Sequence, residues 1–534
     1  MCSLERISAS PSIEETLQDY LLYNASGKQP SISLELQSQT PGDKPPVGVV
    51  DIAATVAFQC YRAGRTKMIP RADDSKAQAV AESTLEAGHH TTRMHANFTF
   101  QFAGVSRETM RQVFHDFPFY NSEEQSQRYV EVKPDSYSIP DGLTPHQREV
   151  FVNAAQYANN AYYEFLELLA PAVDARMHDM YPKAGWNVQK TRERLETKSK
   201  KIRQEVARYM LTTAQETNLY YTVSEISLLR LFRASQMDHF SDEARYVIAS
   251  MITEIAQHDP TILNELRAPL PPFEREESGS EAYIAAHARV DAQLGDKRSA
   301  LISASSNMQS VFELAQEIVT GRTNIQEVTD PLKNPYLADT YDIGMHDPVT
   351  QILRLGTMTF VTRLSHTAEY QRERHRRTPG VSAPLAQSYT GIPDYITPMI
   401  IKEDPGLCAK YDEVMQTIYA GVEAAIASGI PKEVAITLLP NAHAIRVVET
   451  GDLFDWAHRW KQRLCLLAQE EIFFVSVEQV EAAVAEFPEL AHLLQAPCGL
   501  AHRAGTGRCP EGDRWCGKGV WNWGVEQYAQ GRLI

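Results

Sequence analysis

The sequence lacks a basic surplus: 68 acidic residues outnumber 52 basic ones, and the formal net charge is −16. A nucleic-acid surface needs a broad positive field, so this balance argues against a nucleic-acid partner. It still allows a small anionic ligand held by a local basic cluster. No apolar run is long enough to cross a bilayer, and the first thirty residues lack the basic-then-apolar pattern of a signal peptide. We therefore expect neither a nucleic acid nor a membrane as partner.

Cysteine is also scarce, with seven residues spread thinly along the chain. An odd, scattered set is typical of reduced thiols rather than of a disulfide framework, which predicts a cytoplasmic protein. The exception is the tail, residues 491–534, where Cys498, His502, Cys509 and Cys516 lie close together. Such side chains could close a tetrahedral zinc site. Their spacing matches no standard finger, however, and a loop with reduced cysteines explains them equally well.

At 534 residues the chain is too long for one ordinary domain. A linker rich in proline and glutamate, residues 268–281, divides it. We expect an irregular entry segment over 1–48, a first unit over 49–267 and a second unit over 282–490. Helical and alternating patterns in both units predict an α/β (α+β) fold, in which each unit packs a mixed sheet with long helices.

The two units repeat one another. Four features occur in the same order in both: an alternating strand, a glutamine, a Glu-Val-Ala triplet, and a threonine fifteen residues after its alanine. They are, pair by pair, Asn97–Phe102 and Thr357–Thr362, Gln112 and Gln371, Glu205–Ala207 and Glu433–Ala435, and Thr222 and Thr450. This agreement predicts a tandem duplication of a unit of roughly 220 residues.

Two helix starts are predicted from capping patterns. Thr144 combined with Pro145 and Gln147 predicts a long helix that continues to Leu169. Ser476 and Gln479 have the spacing of a second capping box, which predicts that the last helix of the second unit begins there.

The most basic stretch of this acidic chain runs from Gln371 to Arg377 and contains four arginines and one glutamate. If the stretch is helical, Gln371, Arg374 and His375 share one face. Arginine can bind phosphate oxygens two at a time, so the stretch predicts an anionic ligand. A solvated helix face is the alternative interpretation.

Together these features resemble the flavin-dependent thymidylate synthases. That family carries a Gln before an Arg-His-Arg motif, a Glu-x-Ser-x-Arg-Tyr segment, an Ala-Arg pair, and a late Arg followed by Ala-Gln-x-Glu-Ile. The first unit has Glu124–Tyr129 and Ala207-Arg208, but it reads His115-Asp116-Phe117 where Arg-His-Arg is expected.

The second unit carries the other elements of the pattern. It has Gln371, Arg374-His375-Arg376, and Arg463 followed by Ala468–Ile472, but Ile436 stands where the Ala-Arg arginine belongs. The losses of the two units are complementary. The resemblance therefore implies one composite site per chain, and a homodimer that imitates the family tetramer.

The resemblance also implies the reaction and its participants. The enzyme would convert dUMP to dTMP with FAD, NADPH and methylenetetrahydrofolate, so its partners would be small nucleotide and folate molecules. No residue is assigned as catalytic, because in the family the flavin mediates the reaction. The nucleotide would contact Glu124, Ser126, Arg128, Arg208, Gln371 and Arg463. The flavin would contact Arg374, His375, Arg376, His89 and Thr91, with His346 as a weaker second copy of the His segment.

Two alternatives remain open. The positions where the family has Asn and Arg around the flavin read Ser224 and Ile226 in the first unit, and Asp452 and Phe454 in the second. An altered flavin pocket would suit alkylation of another pyrimidine nucleotide in a specialised pathway. A protein that binds nucleotide without catalysis, and docks a partner through its tail, is the other alternative.

Overall fold

The computed structural model describes residues 12–22, 31–35, 48–59, 75–115, 120–181, 189–273, 278–507, 509–512 and 515–532. The part of the chain before the linker contains α1 Ile13–Leu21, β1 Ser31–Glu35, α2 Val49–Gln59, α3 Ser75–Glu86, β2 Asn97–Ser106, α4 Arg107–Met110, β3 Tyr120–Glu124, α5 Pro145–Leu168, α6 Ala170–Met180, α7 Gln189–Ala207, β4 Glu216–Ser224, α8 Glu225–Ala234, α9 Asp242–His258 and α10 Ile262–Glu265.

The second unit and the tail contain the remaining elements. They are α11 Ser280–Leu294, β5 Ser299–Ala304, α12 Met308–Thr320, α13 Gln326–Thr329, β6 Thr357–Ser365, α14 His366–Arg372, β7 Gly380–Ser382, α15 Leu385–Ser388, α16 Met399–Lys402, α17 Pro405–Ala427, α18 Lys432–Ala435, β8 Ala444–Asp452, α19 Leu453–Arg463, α20 Glu470–Glu486, α21 Pro497–Arg503 and α22 Val525–Gly531.

Each unit builds its own four-stranded sheet, and the two sheets have equivalent strand orders. The first is ordered β1-β2-β4-β3 and the second β5-β6-β8-β7, and the strand pairs are antiparallel. This confirms the predicted α/β fold of two tandem units, although the described sheets are antiparallel where mixed sheets were expected.

The entry segment contains regular structure where an irregular chain was expected. Ser31–Glu35 pairs with Thr99–Ala103 and forms an edge strand of the first sheet. Helix α1 buries Leu17 in the core of the same unit. The expectation of an irregular segment is therefore wrong for these residues, since five alternating residues gave too short a signal to identify a strand that tertiary pairing stabilises.

The junction between the central strand and the next helix is built identically in both units. Ser106 ends β2, and its backbone N–H donates to Glu243 at 3.0 Å. Ser365 ends β6, and its backbone N–H donates to Glu471 at 2.6 Å. Each serine hydroxyl also caps the helix that follows its strand. The buried carboxylates are therefore satisfied by hydrogen bonds and connect sheet to helix.

Besides a core of its own in each unit, the two units share an apolar core between them. Helix α5 of the first unit packs along α17 of the second, with the rings of Phe165 and Tyr411 6.0 Å apart. Backbone hydrogen bonds cross between the units close by, from Thr213 N to the carbonyl of Leu439 at 3.0 Å and from Asn441 N to Leu211 at 2.7 Å. The segment that follows α7, which includes Leu211 and Thr213, therefore lies against the second unit.

One capping prediction is confirmed and the other is wrong. Thr144 and Gln147 form the reciprocal bonds of a capping box at the start of α5. Helix α20 instead begins at Glu470 with Gln469 as its N-cap, and Ser476 and Gln479 are buried in its interior. Gln479 donates there to Glu449 at 2.9 Å, a tertiary contact that the local spacing could not indicate.

The linker leaves the first unit through a contact with Arg233. The guanidinium of Arg233 donates to the carbonyl of Ala268, and Leu270 N donates to the carbonyl of Arg233 at 3.0 Å. Residues 274–277 of the linker lie outside the described residues. Among the helices that the structure describes, none is both long enough and apolar enough to cross a membrane.

Candidate active site

Arg128 reaches from the first unit to the second. It lies in the turn after β3, and its Nε pairs with Glu205 near the end of α7. Its Nη2 donates to the carbonyl of Leu467 in the second unit at 2.7 Å. Burial would lower the pKa of Arg128, but Glu205, with contributions from Tyr129 and Cys465, reverses this effect and leaves the pKa raised. Arg128 therefore stays fully charged at the junction of the two units.

Arg208 lies beside this pair, immediately after α7, and is only 5% exposed. Its Nε donates to the carbonyl of Glu205 at 3.3 Å, and its own carbonyl accepts from Asn441 of the second unit at 3.0 Å. Its Nη2 is buried and has no hydrogen-bond partner within the described ranges. A buried guanidinium nitrogen with no partner is costly unless a ligand accepts its hydrogen bond.

Arg463, the last residue of α19, lies on the second unit's side of Arg128, which is an electrostatic neighbour of both Arg208 and Arg463. Its Nε donates to Nε2 of His375 at 2.8 Å, and its Nη2 donates to the carbonyl of Gln371 at 2.8 Å. Burial first, and then Arg463 and other cations, hold the pKa of His375 well below its usual value. His375 is therefore neutral, and because Nε2 accepts a bond, its proton resides on Nδ1.

The site carries positive charge that the protein does not neutralise. Burial lowers the pKa of Arg208 to about 10. Burial, together with Arg459, Arg128 and Arg374, lowers the pKa of Arg463 to about 9. In the part of the chain that the structure describes, neither Arg208 nor Arg463 forms an ion pair with a carboxylate. An anion placed between them would relieve both costs.

Gln371 presents a second unsatisfied atom at this site. Its Nε2 donates to the carbonyl of Thr367 at 3.1 Å and to Gln469 at 3.4 Å. Its Oε1 is buried and finds no partner among the residues described. Gln469 donates onward to Tyr209 at 2.7 Å, and Tyr209 donates to Glu471 at 2.6 Å. This chain of bonds fixes Gln371 and crosses from the second unit to the first.

Arg374 and Arg376 lie in a different place, over the first unit's strand β3. Arg374 donates to Ser122 Oγ at 2.9 Å, and Arg376 donates to Asn121 Oδ1 at 2.8 Å. They line a cavity of about 170 Å³ together with Glu123, Tyr220, Thr222 and the two residues just named. The cavity therefore lies between the two units, as do Arg128, Arg208 and Arg463.

The expectation that Gln371, Arg374 and His375 share a helix face is wrong. Helix α14 ends at Arg372, and the chain continues in turns, with His375 N donating to the carbonyl of Arg372 at 2.9 Å. Arg374 is thereby free to extend to β3 while His375 is buried against Arg463. Of the residues predicted to contact the flavin, His375 therefore lies against Arg463 and does not line the cavity that Arg374 and Arg376 line.

Glu124 and Ser126 are held mainly by their own unit. Glu124 pairs with Arg107 and accepts from Thr217 at 3.1 Å. Arg107 in turn lies over the Tyr370 ring of the second unit, 4.3 Å from the centroid. This geometry favours a role for Glu124 in orienting Arg107, whereas its predicted contact with the nucleotide stays a prediction. Ser126 accepts from the backbone N–H of Arg128 at 3.2 Å, and its hydroxyl hydrogen can still be donated.

The predicted His segments are exposed. His89 and Thr91 lie at the short 3-10 turn His90–Met94 that leads into β2, and both are exposed. The first residue of β2 pairs with Ser224, close to the end of β4 where Thr222 lines the cavity. His346, in the equivalent turn of the second unit, is also exposed. The roles of all three residues stay predictions. Asp116 and Phe117, in the first unit's degenerate motif, lie outside the described residues.

The structure does not support zinc in the tail. The described residues contain no group of three or more His, Cys, Asp or Glu side chains that could hold a metal ion. Cys498 and Cys516 are buried in the apolar core, and burial raises the pKa of Cys498 to about 12. His502 instead lines a surface groove with Trp521. The predicted set of Cys498, His502, Cys509 and Cys516 is thus divided between core and surface.

In a comparison with known proteins, one family model matches the chain twice, once in each unit. The family model described as "Thymidylate synthase complementing protein" matches residues 48–261 and again residues 278–489. A flavin-dependent thymidylate synthase of Clostridium tetani is 26% identical over 240 residues, covering 44% of this chain and 87% of that protein. A protein of the same description from Geobacter sulfurreducens is 25% identical over 240 residues, covering 44% of this chain and 86% of its own.

A solved structure is also similar to part of the chain. It is a UMP/dUMP methylase, PolB, from Streptomyces cacaoi bound with 5-Br dUMP, at 16% identity and a TM-score of 0.32. The similarity covers 44% of this chain and 94% of that chain.

Proposed function

Because the family model matches two stretches of the sequence, the chain belongs to the thymidylate synthase complementing protein family as a tandem-duplicated, flavin-dependent member. From that premise we propose that this enzyme methylates dUMP to dTMP at one composite site per chain. The one-carbon unit would come from methylenetetrahydrofolate and the reducing electrons from NADPH.

One observation carries the proposal: Arg208 of the first unit and Arg463 of the second are buried cations without a carboxylate partner in the described chain. A nucleoside monophosphate is close to a dianion at neutral pH, so its phosphate would neutralise both. The free Nη2 of Arg208 would donate to a phosphate oxygen. Arg128 would add a third cation, held in place by Glu205.

Residues of the second unit would orient the rest of the nucleotide. The unpartnered Oε1 of Gln371 can accept a hydrogen bond from an N–H or hydroxyl of the substrate. Neutral His375 keeps Arg463 aimed at the site by accepting its Nε hydrogen. Ser126 would donate its hydroxyl hydrogen to the nucleotide. Uracil would thus be fixed by groups that need no movement during the reaction, which is a main source of catalytic rate.

The cavity lined by Arg374 and Arg376 would hold the diphosphate part of an anionic flavin, and Glu123, which pairs with Arg374 at 3.2 Å, would have to release that arginine to it. Its donors, two guanidinium groups, the Asn121 amide and the Thr222 hydroxyl, match the diphosphate and ribityl groups of FAD. A bound flavin would supply the hydride that reduces the transferred one-carbon group to a methyl group. Arg374 lies within electrostatic range of Arg463, so the flavin and nucleotide sites would adjoin. His89 and Thr91 would close the flavin side at the start of β2.

A second candidate substrate is another pyrimidine nucleotide, such as UMP or dCMP. The observation in its favour is that Asp452, at a position where the family holds flavin, caps α19 and pairs with Arg354 at 3.0 Å. Ser224 likewise bonds to Ser227 within its own unit. The flavin environment would therefore differ from that of the family. Product analysis with dUMP, UMP and dCMP would distinguish the substrates.

We also propose a cytoplasmic homodimer. The described cysteines are free, which suits a reducing compartment. Helix α12 exposes an apolar row, with Val311 40%, Leu314 60% and Ile318 78% exposed at helical spacing. Ile318→Glu should give a monomer of 60.0 kDa by light scattering. A control change of Leu263→Glu, on α10, should leave the dimer intact, and a dimeric Ile318→Glu protein would contradict this interface.

The first test is the visible absorption spectrum of the purified protein, with added FAD and then dUMP. Bound flavin bands that shift on adding dUMP would support two adjoining sites. A colourless protein that takes up no FAD, yet binds nucleotide, would refute the enzyme mechanism and favour a nucleotide-binding role. Formation of dTMP from dUMP, methylenetetrahydrofolate and NADPH would then test the full reaction.

A further inference from the structure

The tail lies beyond both stretches matched by the family model, yet it contacts both units. In α22, Tyr528 packs against Phe473 of helix α20, with ring centroids 6.4 Å apart. On the other side, Lys198 in α7 of the first unit donates to the carbonyl of Trp515 at 3.4 Å. Helix α7 leads to Arg208, so the tail adjoins the helix that carries the first unit's arginine.

Arg532, just after α22, is a buried charged residue of the tail. It is 8% exposed, and its guanidinium carbon lies 4.9 Å from the centre of the Phe473 ring. Its Nη1 donates to the carbonyl of Leu466 at 3.4 Å. An arginine stacked on an aromatic face and donating to a carbonyl is fixed in two directions.

The carbonyl that Arg532 holds belongs to the connection between α19 and α20, residues 464–469. Arg463 precedes this connection, and Gln469, at its end, contacts Gln371. The next carbonyl, that of Leu467, accepts from Arg128. Two arginines, one from the tail and one from the first unit, therefore hold consecutive carbonyls of the segment that follows Arg463.

Arg532 also shares the electrostatic environment of the nucleotide residues. Burial lowers its pKa, Glu205 and Glu470 oppose this effect, and Arg128 adds to it. Glu205 is the same carboxylate that pairs with Arg128. Removing Arg532 would therefore alter both the support of the connection and the charge balance beside Arg128.

We propose that Arg532 is a positioning residue of the nucleotide site, which fixes residues 464–469 and through them the direction of Arg463. This inference rests on the proposed nucleotide function and adds the tail to the site. Loss of a buried hydrogen bond and its stacking contact should weaken dUMP binding about five- to tenfold.

The test compares Arg532→Gln with Arg503→Gln in the full-length, FAD-loaded protein. Arg503 is the matched control, because it is a tail arginine whose guanidinium pairs with Asp330, a residue outside the connection 464–469. Calorimetry would measure the dUMP affinity, absorbance the FAD content, and hydrogen exchange the protection of amides 464–469. We expect weaker dUMP binding and faster exchange only in Arg532→Gln, with unchanged FAD content in both.

Equal dUMP affinity in Arg532→Gln and the unmodified protein would overturn the inference, even if exchange became faster. The same loss in Arg503→Gln would also overturn it, because any loosening of the tail would then suffice. A failure of the unmodified protein to bind dUMP would instead refute the proposed function. In that case unchanged exchange at 464–469 in Arg532→Gln would overturn the positioning role by itself.

Discussion

Replacing Arg208 with methionine should make the ligand-free protein more stable and the enzyme worse. The pKa of Arg208 falls from 12.5 to about 10 because the charged group is buried. That difference corresponds to about 3 kcal/mol by which folding disfavours the charged form. Methionine has a similar length and no charge, and it loses one weak hydrogen bond, that to Glu205, worth about 1 kcal/mol. The expected net gain in unfolding free energy is about 2 kcal/mol.

Binding should change in the opposite direction. A charge-assisted hydrogen bond to phosphate contributes about 1.5–3 kcal/mol, so Arg208→Met should weaken dUMP binding roughly 10- to 100-fold. Urea denaturation with and without dUMP measures the first effect, and calorimetry measures the second. In the unmodified protein dUMP should raise the urea midpoint, and in Arg208→Met it should hardly do so.

Arg203→Met is the matched control, since Arg203 lies on the same helix α7 and donates to the carbonyl of Leu166. It should neither stabilise the protein nor change dUMP affinity. The reasoning would be refuted if Arg208→Met bound dUMP as tightly as the unmodified protein. If Arg208→Met lost as much stability as Arg203→Met, the argument that the buried charge of Arg208 destabilises the fold would be refuted.

Three further changes test other parts of the account. Arg376→Gln should lower FAD content by removing a cavity cation while leaving dUMP affinity within about twofold, and unchanged FAD content would contradict its role. His375→Phe should weaken dUMP binding about five- to tenfold in calorimetry, because Arg463 loses its acceptor, and equal affinity would show that Arg463 needs no such support. Burial lowers the pKa of His443 to about 4. Its neutral form therefore stabilises the fold fully above about pH 6.5, and this contribution is lost as the pH falls toward 4. Between pH 6.5 and 4, the unfolding free energy of His443→Gln, measured by urea denaturation, should consequently fall by up to about 3 kcal/mol less than that of the unmodified protein. Equal pH dependence of the two proteins would contradict this.

Local patterns in the sequence predicted much of this architecture, because they reflect forces that act over a few residues. The capping box at Thr144 and Gln147 is formed by neighbours, so its sequence signal is reliable. The strand Thr357–Thr362 could be recognised because its alternating residues reflect a single buried face of the sheet. The complementary losses in the two units pointed to Arg208 and Arg463, and the structure places both at the junction between the units.

Features that depend on distant contacts could not be predicted in this way. Gln479 is placed by Glu449, thirty positions away, so the capping spacing with Ser476 was coincidental. Helix α14 ends at Arg372, so that Arg374 and His375 lie in turns and contact different groups, and no residue near it marks that end as glycine or proline would. Glu205 was visible only as part of a repeated triplet, and its pairing with Arg128 required the fold. The same holds for Tyr209 and its bond to Glu471.

The central claim is that each chain carries one composite site to which both units contribute. Titration of dUMP into FAD-loaded protein by calorimetry, with flavin quantified by absorbance, tests it most directly. The account predicts one nucleotide and one flavin per chain, because only the first unit supplies Arg208 and the equivalent position of the second unit is Ile436. Two nucleotides per chain would contradict it by showing that each unit keeps a complete site of its own.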